Sequence, residues 1–172
     1  MTNFLPLNRS FPPIADHRAK ILILGSMPGV KSLEQQQYYA HPRNAFWPIM
    51  SAVFGIDRTL DYGKRCQLLV DNQVAIWDVL QACQRQGSLD QAINTASMVA
   101  NDFNLFLQHH PAITKIVFNG AKAEQVFKRL VLPTLTASQK TIARLLLPST
   151  SPAHASRSFD DKLAVWRQAL ID

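Results

Sequence analysis

The sequence predicts a three-layer α/β/α sandwich around a central four-stranded, mainly parallel sheet. Three observations predict it. Short apolar runs alternate along the chain with segments of helical period. Each run ends in turn-forming residues. The runs are apolar at consecutive positions, as strands buried on both faces should be, rather than alternating as strands wetted on one face do. A chain of 172 residues with 47% hydrophobic and 17% charged side chains fits one domain over 1–172 with one core, and no repeat or low-complexity tract divides it.

The first strand is read at residues 20–24 (KILIL), running into Gly25, and the second at 74–77 (VAIW), running into Asp78. The third, 115–118 (KIVF), meets Asn119 and Gly120, and the fourth, 143–147 (ARLLL), meets Pro148. Between them the period lengthens. Ala123, Val126, Phe127 and Leu130 fall at i, i+3, i+4 and i+7, which predicts a helix after Gly120. Residues 158–171 place Phe159, Leu163, Trp166 and Leu170 on one stripe, with Ser158 as N-cap and Asp160 and Asp161 in the first turn, where the helix dipole favours acids. Residues 44–54 are apolar nearly all round and predict a buried helix with Asn44 as its N-cap. Two further helices are expected over 59–70 and 101–109, the latter stopped by Pro111.

Eighteen Lys and Arg oppose twelve Asp and Glu, and the net charge of +6 with a pI near 9.6 favours a polyanionic partner. No run approaches the ~18 apolar residues of a membrane span, and the first thirty residues lack signal-peptide order, so a cytoplasmic location without membrane contact is expected. Cys66 and Cys83 are too few for a four-thiolate cluster and have no CxxC spacing, and the five His residues form no HExxH motif. Packed thiols, no metal and no cofactor are expected.

Ligands of open α/β sheets bind outside the carboxyl ends of the strands. That rule selects Gly25-Ser26-Met27-Pro28-Gly29, then Asp78, then Asn119-Gly120, and finally residues 148–154. Small, hydroxylated and Pro residues dominate these loops and suit a grip on phosphate. The first loop is neither a GxxxxGK[ST] phosphate loop, nor GxGxxG, nor a GxSxG elbow, so nucleotide triphosphate and hydride chemistry lack their usual parts. Residues 38–44 join Tyr38, Tyr39, His41, Arg43 and Asn44 in a stretch too polar for a core strand, either a packed loop or a stacking platform for a base beside a cation for a phosphate.

Taken together, residues 25–29, residues 39–47 (YAHPRNAFW) and residues 147–152 (LPSTSP) resemble the uracil-DNA glycosylase superfamily, and within it the hypoxanthine-specific branch, the DNA-deoxyinosine glycosylases. The resemblance spans residues 20–166 and includes 77–80 and 118–120. It implies base-excision repair by a monofunctional, monomeric enzyme that flips a deaminated base out of single- or double-stranded DNA and hydrolyses its N-glycosidic bond. The resemblance gives catalysis to Asn44 and a stacking role to Tyr39, with Gly25, Ser26, Met27, Asp78 and Ser149 around the base. Met27 stands where related branches carry a water-holding Asn. Asp78, as an ionised carboxylate, only accepts, which suits the N1–H of hypoxanthine and rejects the bare N1 of adenine. Thr150 and Ser151 would bond phosphates, Arg43, Lys122 and Arg157 would neutralise them, and His154 is the candidate wedge beside the small Ala153.

Uracil presents the same acceptor and N–H pair, so a uracil enzyme of the same fold is an alternative. A nucleic-acid-binding module without turnover is another, because Met27 and Ser149 replace polar groups. A hydrolase using Ser26 or Ser151 as nucleophile lacks the signature of an activated serine.

Overall fold

A computed structural model describes residues 5–172. Its strands are β1 (Leu7–Arg9), β2 (Ile21–Gly25), β3 (Val74–Asp78), β4 (Leu80–Gln84), β5 (Val99–Ala100), β6 (Lys115–Asn119) and β7 (Ala143–Leu147). Its helices are α1 (Val30–Gln35), α2 (Phe46–Phe54), α3 (Tyr62–Asp71), α4 (Phe103–His109), α5 (Ala121–Val126) and α6 (Phe159–Ile171). The expected central sheet is present with the order β3-β2-β6-β7, and its three pairings are all parallel.

The pleat explains why these runs are apolar throughout. Leu22 and Leu24, Ala75 and Trp77, Ile116 and Phe118 face one side and pack with α4, α5 and the turn that continues α5 through Phe103, Phe106, Val126 and Phe127. Their neighbours Ile23, Val74, Ile76 and Val117 face the other side and meet Phe46, Met50, Leu69 and Trp166 from α2, α3 and α6. Strand alternation thus serves two apolar layers, and the three-layer sandwich follows.

The structure corrects several expectations. Strand β7 is not buried on both faces. It closes one edge of the sheet, and Leu145 and Leu146 stay 40% and 47% exposed. Asn44 is not the N-cap of α2; Ala45 is, although the Asn44 Oδ1 accepts from the Phe46 N–H at 2.9 Å. Helix α3 begins at Tyr62 rather than 59, and α4 at Phe103 behind Asp102, whose carboxylate accepts from the Leu105 N–H. The helix after Gly120 changes to a wider π turn at Phe127–Val131. The cap of α6 stands as expected, with Ser158 Oγ accepting from the Asp161 N–H.

A second, antiparallel sheet of order β1-β4-β5 adds to the expected fold. It joins Asn8 to Cys83 in register and leads out of β3 through Val79, so it carries the chain away from the sheet's carboxyl edge and back past it at residues 85–91. Both cysteines are buried, free thiols. Among the described residues no helix is long and apolar enough to cross a membrane.

Candidate active site

The carboxyl ends of β2, β3 and β6 open onto a cavity of about 410 Å³, within the range of small-molecule sites. The loops after those strands line it, together with residues 38–44, the loop after β7 and residues 88–91. Of the residues singled out from the sequence, Gly25, Ser26, Met27, Tyr39, Asn44, Asp78, Lys122, Ser149, Thr150, Ser151 and His154 all reach it. Arg43 and Arg157 do not; they line an adjoining groove that shares Asn44, Ser151 and His154 with the cavity.

Tyr39 enters on a strained backbone. Its φ is +57°, rare for a bulky residue, and such outliers persist only where the surroundings enforce them. Tyr38 supplies that enforcement and is core, not platform: its hydroxyl donates to the Pro12 carbonyl at 2.8 Å, its N–H donates to the Tyr62 hydroxyl, and its carbonyl accepts from Trp47 Nε1. One face of the Tyr39 ring stacks on Phe46 at 4.0 Å between centroids, so a base could use only the other face or the hydroxyl edge.

At the cavity floor the Tyr39 hydroxyl and Asp78 Oδ2 are both buried without a hydrogen-bond partner. Each lies close to Gly25. A Cβ there would stand 2.6 Å from Asp78 Oδ1 and 3.3 Å from the Tyr39 hydroxyl, so only glycine admits both groups. Burial, reinforced by the nearby Asp90 charge and opposed by Arg85, pushes the Asp78 carboxyl up to about 7. The expected fully ionised carboxylate is therefore a group that titrates near neutrality. Burial first, then the Asp78 charge, raises the Tyr39 phenol, which stays protonated and can donate.

Asn44 divides its amide. Oδ1 takes the Phe46 N–H, while Nδ2 donates to no acceptor among the described residues. The amide's acceptor is thus engaged by the helix start while its donor stays available. Ser26 is otherwise engaged, its hydroxyl donating to Asp90 Oδ1 at 2.5 Å, and Met27 is buried in the core.

The C-terminal loop is braced. Asn119 Nδ2 donates to Thr150 Oγ1, the Thr150 N–H donates back to Asn119 Oδ1, and the Thr150 carbonyl accepts from the Ala45 N–H. Thr150 is 1% exposed, so the expected phosphate contact is instead an internal tie, a correction that its burial imposes. Ser149 Oγ and Ser151 Oγ accept the N–H groups of Ser151 and Ala153, which stiffens the turn and leaves both O–H groups able to donate outward. Buried Lys162 donates to the His154 carbonyl at 2.7 Å.

The model of the family described as "Uracil DNA glycosylase superfamily" matches residues 12–171. The chain belongs to the uracil DNA glycosylase superfamily. As a superfamily member it is a DNA glycosylase, a hydrolase of DNA repair whose substrate is DNA. A hypoxanthine DNA glycosylase of Methanosarcina barkeri (strain Fusaro / DSM 804) is 36% identical over 116 residues, 67% of this chain and 72% of the relative. A hypoxanthine DNA glycosylase of Methanosarcina acetivorans is 32% identical over 147 residues, 80% and 92% of the two chains. The solution NMR structure of a Methanosarcina acetivorans protein provisionally assigned as a uracil DNA glycosylase superposes with TM-score 0.77 at 32% identity, covering 95% of this chain and 99% of that one.

Not expected from the sequence are residues 88–91, which form one wall of the cavity, and Arg85, which braces that wall from behind. The guanidinium of Arg85 donates to the carbonyls of Gly87 and Pro28, Ser88 Oγ accepts from the Val30 N–H, and Asp90 accepts from Ser26. The one local signal was the turn sequence Gln86-Gly87-Ser88 after an apolar run, with Gly87 at φ +72°.

Proposed function

We propose that this enzyme removes hypoxanthine from DNA, with Tyr39 and Asp78 reading the base and Asn44 serving the chemistry. The observation that carries the reading is the unpartnered pair on the cavity floor, a phenol that donates beside a carboxylate that accepts. Hypoxanthine offers the complement, the O6 acceptor beside the N1–H donor. Adenine offers an amino group and a bare N1, which would leave the ionised carboxylate facing a lone pair. Buried groups left unpaired in this way reject the wrong substrate strongly. The names of the two Methanosarcina relatives support the same substrate.

Hydrolysis breaks the bond between C1′ and N9, the electron pair leaves with the base, a water oxygen bonds C1′, and the water's proton ends on the departing base. Negative charge grows on the base as the bond stretches, and a donor aimed at O6 tightens its hold in that state. The Tyr39 hydroxyl supplies it. Asn44 Nδ2 donates to the attacking water or to the base, from an amide already fixed by the Phe46 N–H. Gly25 leaves the space that both floor groups need, and Met27 closes the wall with apolar surface. On the cavity lining, the O–H groups of Ser149 and Ser151 with Lys122 and His154, and in the adjoining groove Arg43 and Arg157, hold the phosphates of the flipped strand.

Uracil shares the acceptor and N–H pattern, and the relative provisionally assigned as a uracil DNA glycosylase keeps that reading in contention. A panel of oligonucleotides, each with one deoxyinosine, deoxyuridine, deoxyxanthosine or deoxyadenosine, decides it. Faster release of hypoxanthine than of uracil or adenine is expected; equal or faster release of uracil overturns the substrate assignment.

A further inference from the structure

The aromatic and polar stretch before α2 contains one cavity-lining side chain that the proposed chemistry leaves unused. His41 stands half-buried, three residues ahead of Asn44. Between them the chain makes a tight turn with Pro42 at its second position, where the fixed φ of proline suits the turn. The His41 carbonyl accepts the Asn44 N–H at 2.9 Å, and the ring Nδ1 accepts the Arg43 N–H at 3.1 Å. The ring thus does what an Asp or Asn side chain does at the head of such a turn, bonding the N–H two residues on. Beyond the turn, the Ala45 N–H goes to the Thr150 carbonyl and the Phe46 N–H to Asn44 Oδ1. His41 therefore supplies two of the four acceptors that fix the backbone of residues 43–46 around the Asn44 amide.

A ring nitrogen that accepts carries no proton, so the imidazole is neutral with its proton on Nε2. A second proton would set an Nδ1–H against the Arg43 N–H, and imidazoles gain that proton within about pH 5–8. The charged groups around the ring are Lys31 of α1, paired with Glu34, Lys122 of α5, His154 of the C-terminal loop, the neighbouring Arg43, and the carboxylates of Asp78 and Asp90. Among the described residues none of their side chains bonds the ring, so a protonated imidazole gains no partner for the one it loses. Resting on the assignment of Asn44 to the chemistry, we propose that His41 is a positioning residue whose neutral imidazole holds the 41–44 turn, and that its protonation slows base release by loosening the seat of the Asn44 amide. The loss of one such hydrogen bond is worth about a five- to tenfold change in rate.

The test replaces the acceptor without replacing the titration. Single-turnover release of hypoxanthine from a duplex is measured at saturating enzyme between pH 5 and pH 8 for wild type, His41→Ala and His41→Asn, with DNA affinity and melting temperature alongside. Asn offers Oδ1 to the Arg43 N–H and takes up no proton in this range. At pH 8, His41→Ala should be about five- to tenfold slower than wild type and His41→Asn within about twofold of it. On acidification the ratio of wild-type to His41→Asn rates should fall about fivefold. Asp78 and His154 are common to both proteins, so their own titrations cancel in that ratio. A ring that worked by donating from Nε2, or as a cation on phosphate, could not be replaced by Asn, and the cation would tighten DNA binding in acid. Failure of His41→Asn to restore release at pH 8, a ratio flat with pH, or a loss carried by DNA affinity rather than by rate overturns the positioning role. Amide NMR of the free protein reads the turn without turnover. The Arg43 N–H and Asn44 Nδ2 signals should carry a pH-dependent shift in wild type that is absent from His41→Asn, and the same shift in both proteins overturns the proposal. Wild-type release by Asn44→Ala, with the His41-dependent shifts and ratio intact, overturns the role given to Asn44 alone and leaves the hold of His41 on the turn supported.

Discussion

Asp78→Asn isolates the group on which base selection is proposed to turn. A carboxyl raised from 3.8 to about 7 binds a proton more tightly in the folded than in the unfolded chain. The folded state therefore holds more protons between those two values, and stability attributable to this group falls as pH rises through the window, then levels off above 7. The ionised form costs on the order of 4 kcal/mol of folding free energy at pH 8 and under 2 kcal/mol at pH 5. Asn carries no such dependence. The stability of the variant relative to wild type should consequently rise by about 2.5 kcal/mol between pH 5 and pH 8. For a chain of this length that is roughly 5–10 °C in relative melting temperature. Thermal unfolding of both proteins at pH 5, 6, 7 and 8 measures it. A difference in melting temperature that is flat across the series would refute the argument, because it would mean that Asp78 is not desolvated as the cavity floor implies. The same group sets a functional expectation. Below pH 7 the protonated carboxyl can donate to adenine N1, so wild-type discrimination against adenine should weaken on acidification. Asp78→Asn, which can always donate from Nδ2, should show the weakened discrimination at every pH.

Asn44→Ala should slow single-turnover base release by about 10²–10³-fold and lower stability by about 1 kcal/mol, since the Phe46 N–H loses its acceptor. Asn44→Asp should keep the melting temperature and still lose release; wild-type rates in that variant would remove the amide donor from the chemistry. Tyr39→Phe deletes a buried hydroxyl with no partner, so stability should hold or rise by up to about 1 kcal/mol while hypoxanthine release falls about 10²-fold, and a destabilised variant would contradict the orphaned state of that hydroxyl. Gly25→Ala drives a methyl into Asp78 and should cost about 1–3 kcal/mol with a larger loss of release than of DNA affinity, as read by melting and titration. Arg43→Ala and Arg157→Ala should each reduce the slope of log affinity against log salt by about 1 without altering release at saturating enzyme; an unchanged slope would place that residue off the DNA.

The central sheet was legible because both of its faces are covered: β2, β3 and β6 need an apolar residue at each position, and no helix period survives in runs that short. Helix α6 was legible for a different reason, since Ser158 and the two aspartates after it mark its start locally. The second sheet had no such local mark. Its outer strands are three and two residues long, and the pairing of Asn8 with Cys83 depends on residues far apart in the chain. The topological rule found the cavity, since loops leaving the sheet's carboxyl edge must form its walls, and it selected Asp78, whereas Tyr39 and Asn44 came from the aromatic and polar stretch 38–44 and from the family resemblance. What it could not supply was the state of each group. Thr150 and Ser26 read as exposed hydroxyls until Asn119 and Asp90 arrive to occupy them, and Asp78 reads as an ordinary carboxylate until burial and Asp90 raise it.

The distribution of unsatisfied groups separates scaffold from site. Among the described residues three buried side-chain atoms lack partners: the Tyr39 hydroxyl, Asp78 Oδ2 and Arg85 Nη1. All three belong to the cavity floor or to the brace beneath its rim. An orphaned polar atom in such surroundings costs about 1–3 kcal/mol, and Tyr39 adds the strain of its left-handed backbone. A fold under selection for stability alone would not collect these penalties in one place, with Phe46, Tyr38 and Trp47 packed to enforce them. In the proposed reading, the two floor penalties are removed together when a base edge with an acceptor and a donor enters, because Tyr39 and Asp78 then gain partners at once. Selectivity and affinity thus have the same physical source. A base that matches only one group leaves the other as costly as in the empty cavity, and a variant that quiets either orphan should gain stability in the free enzyme by losing the capacity to choose.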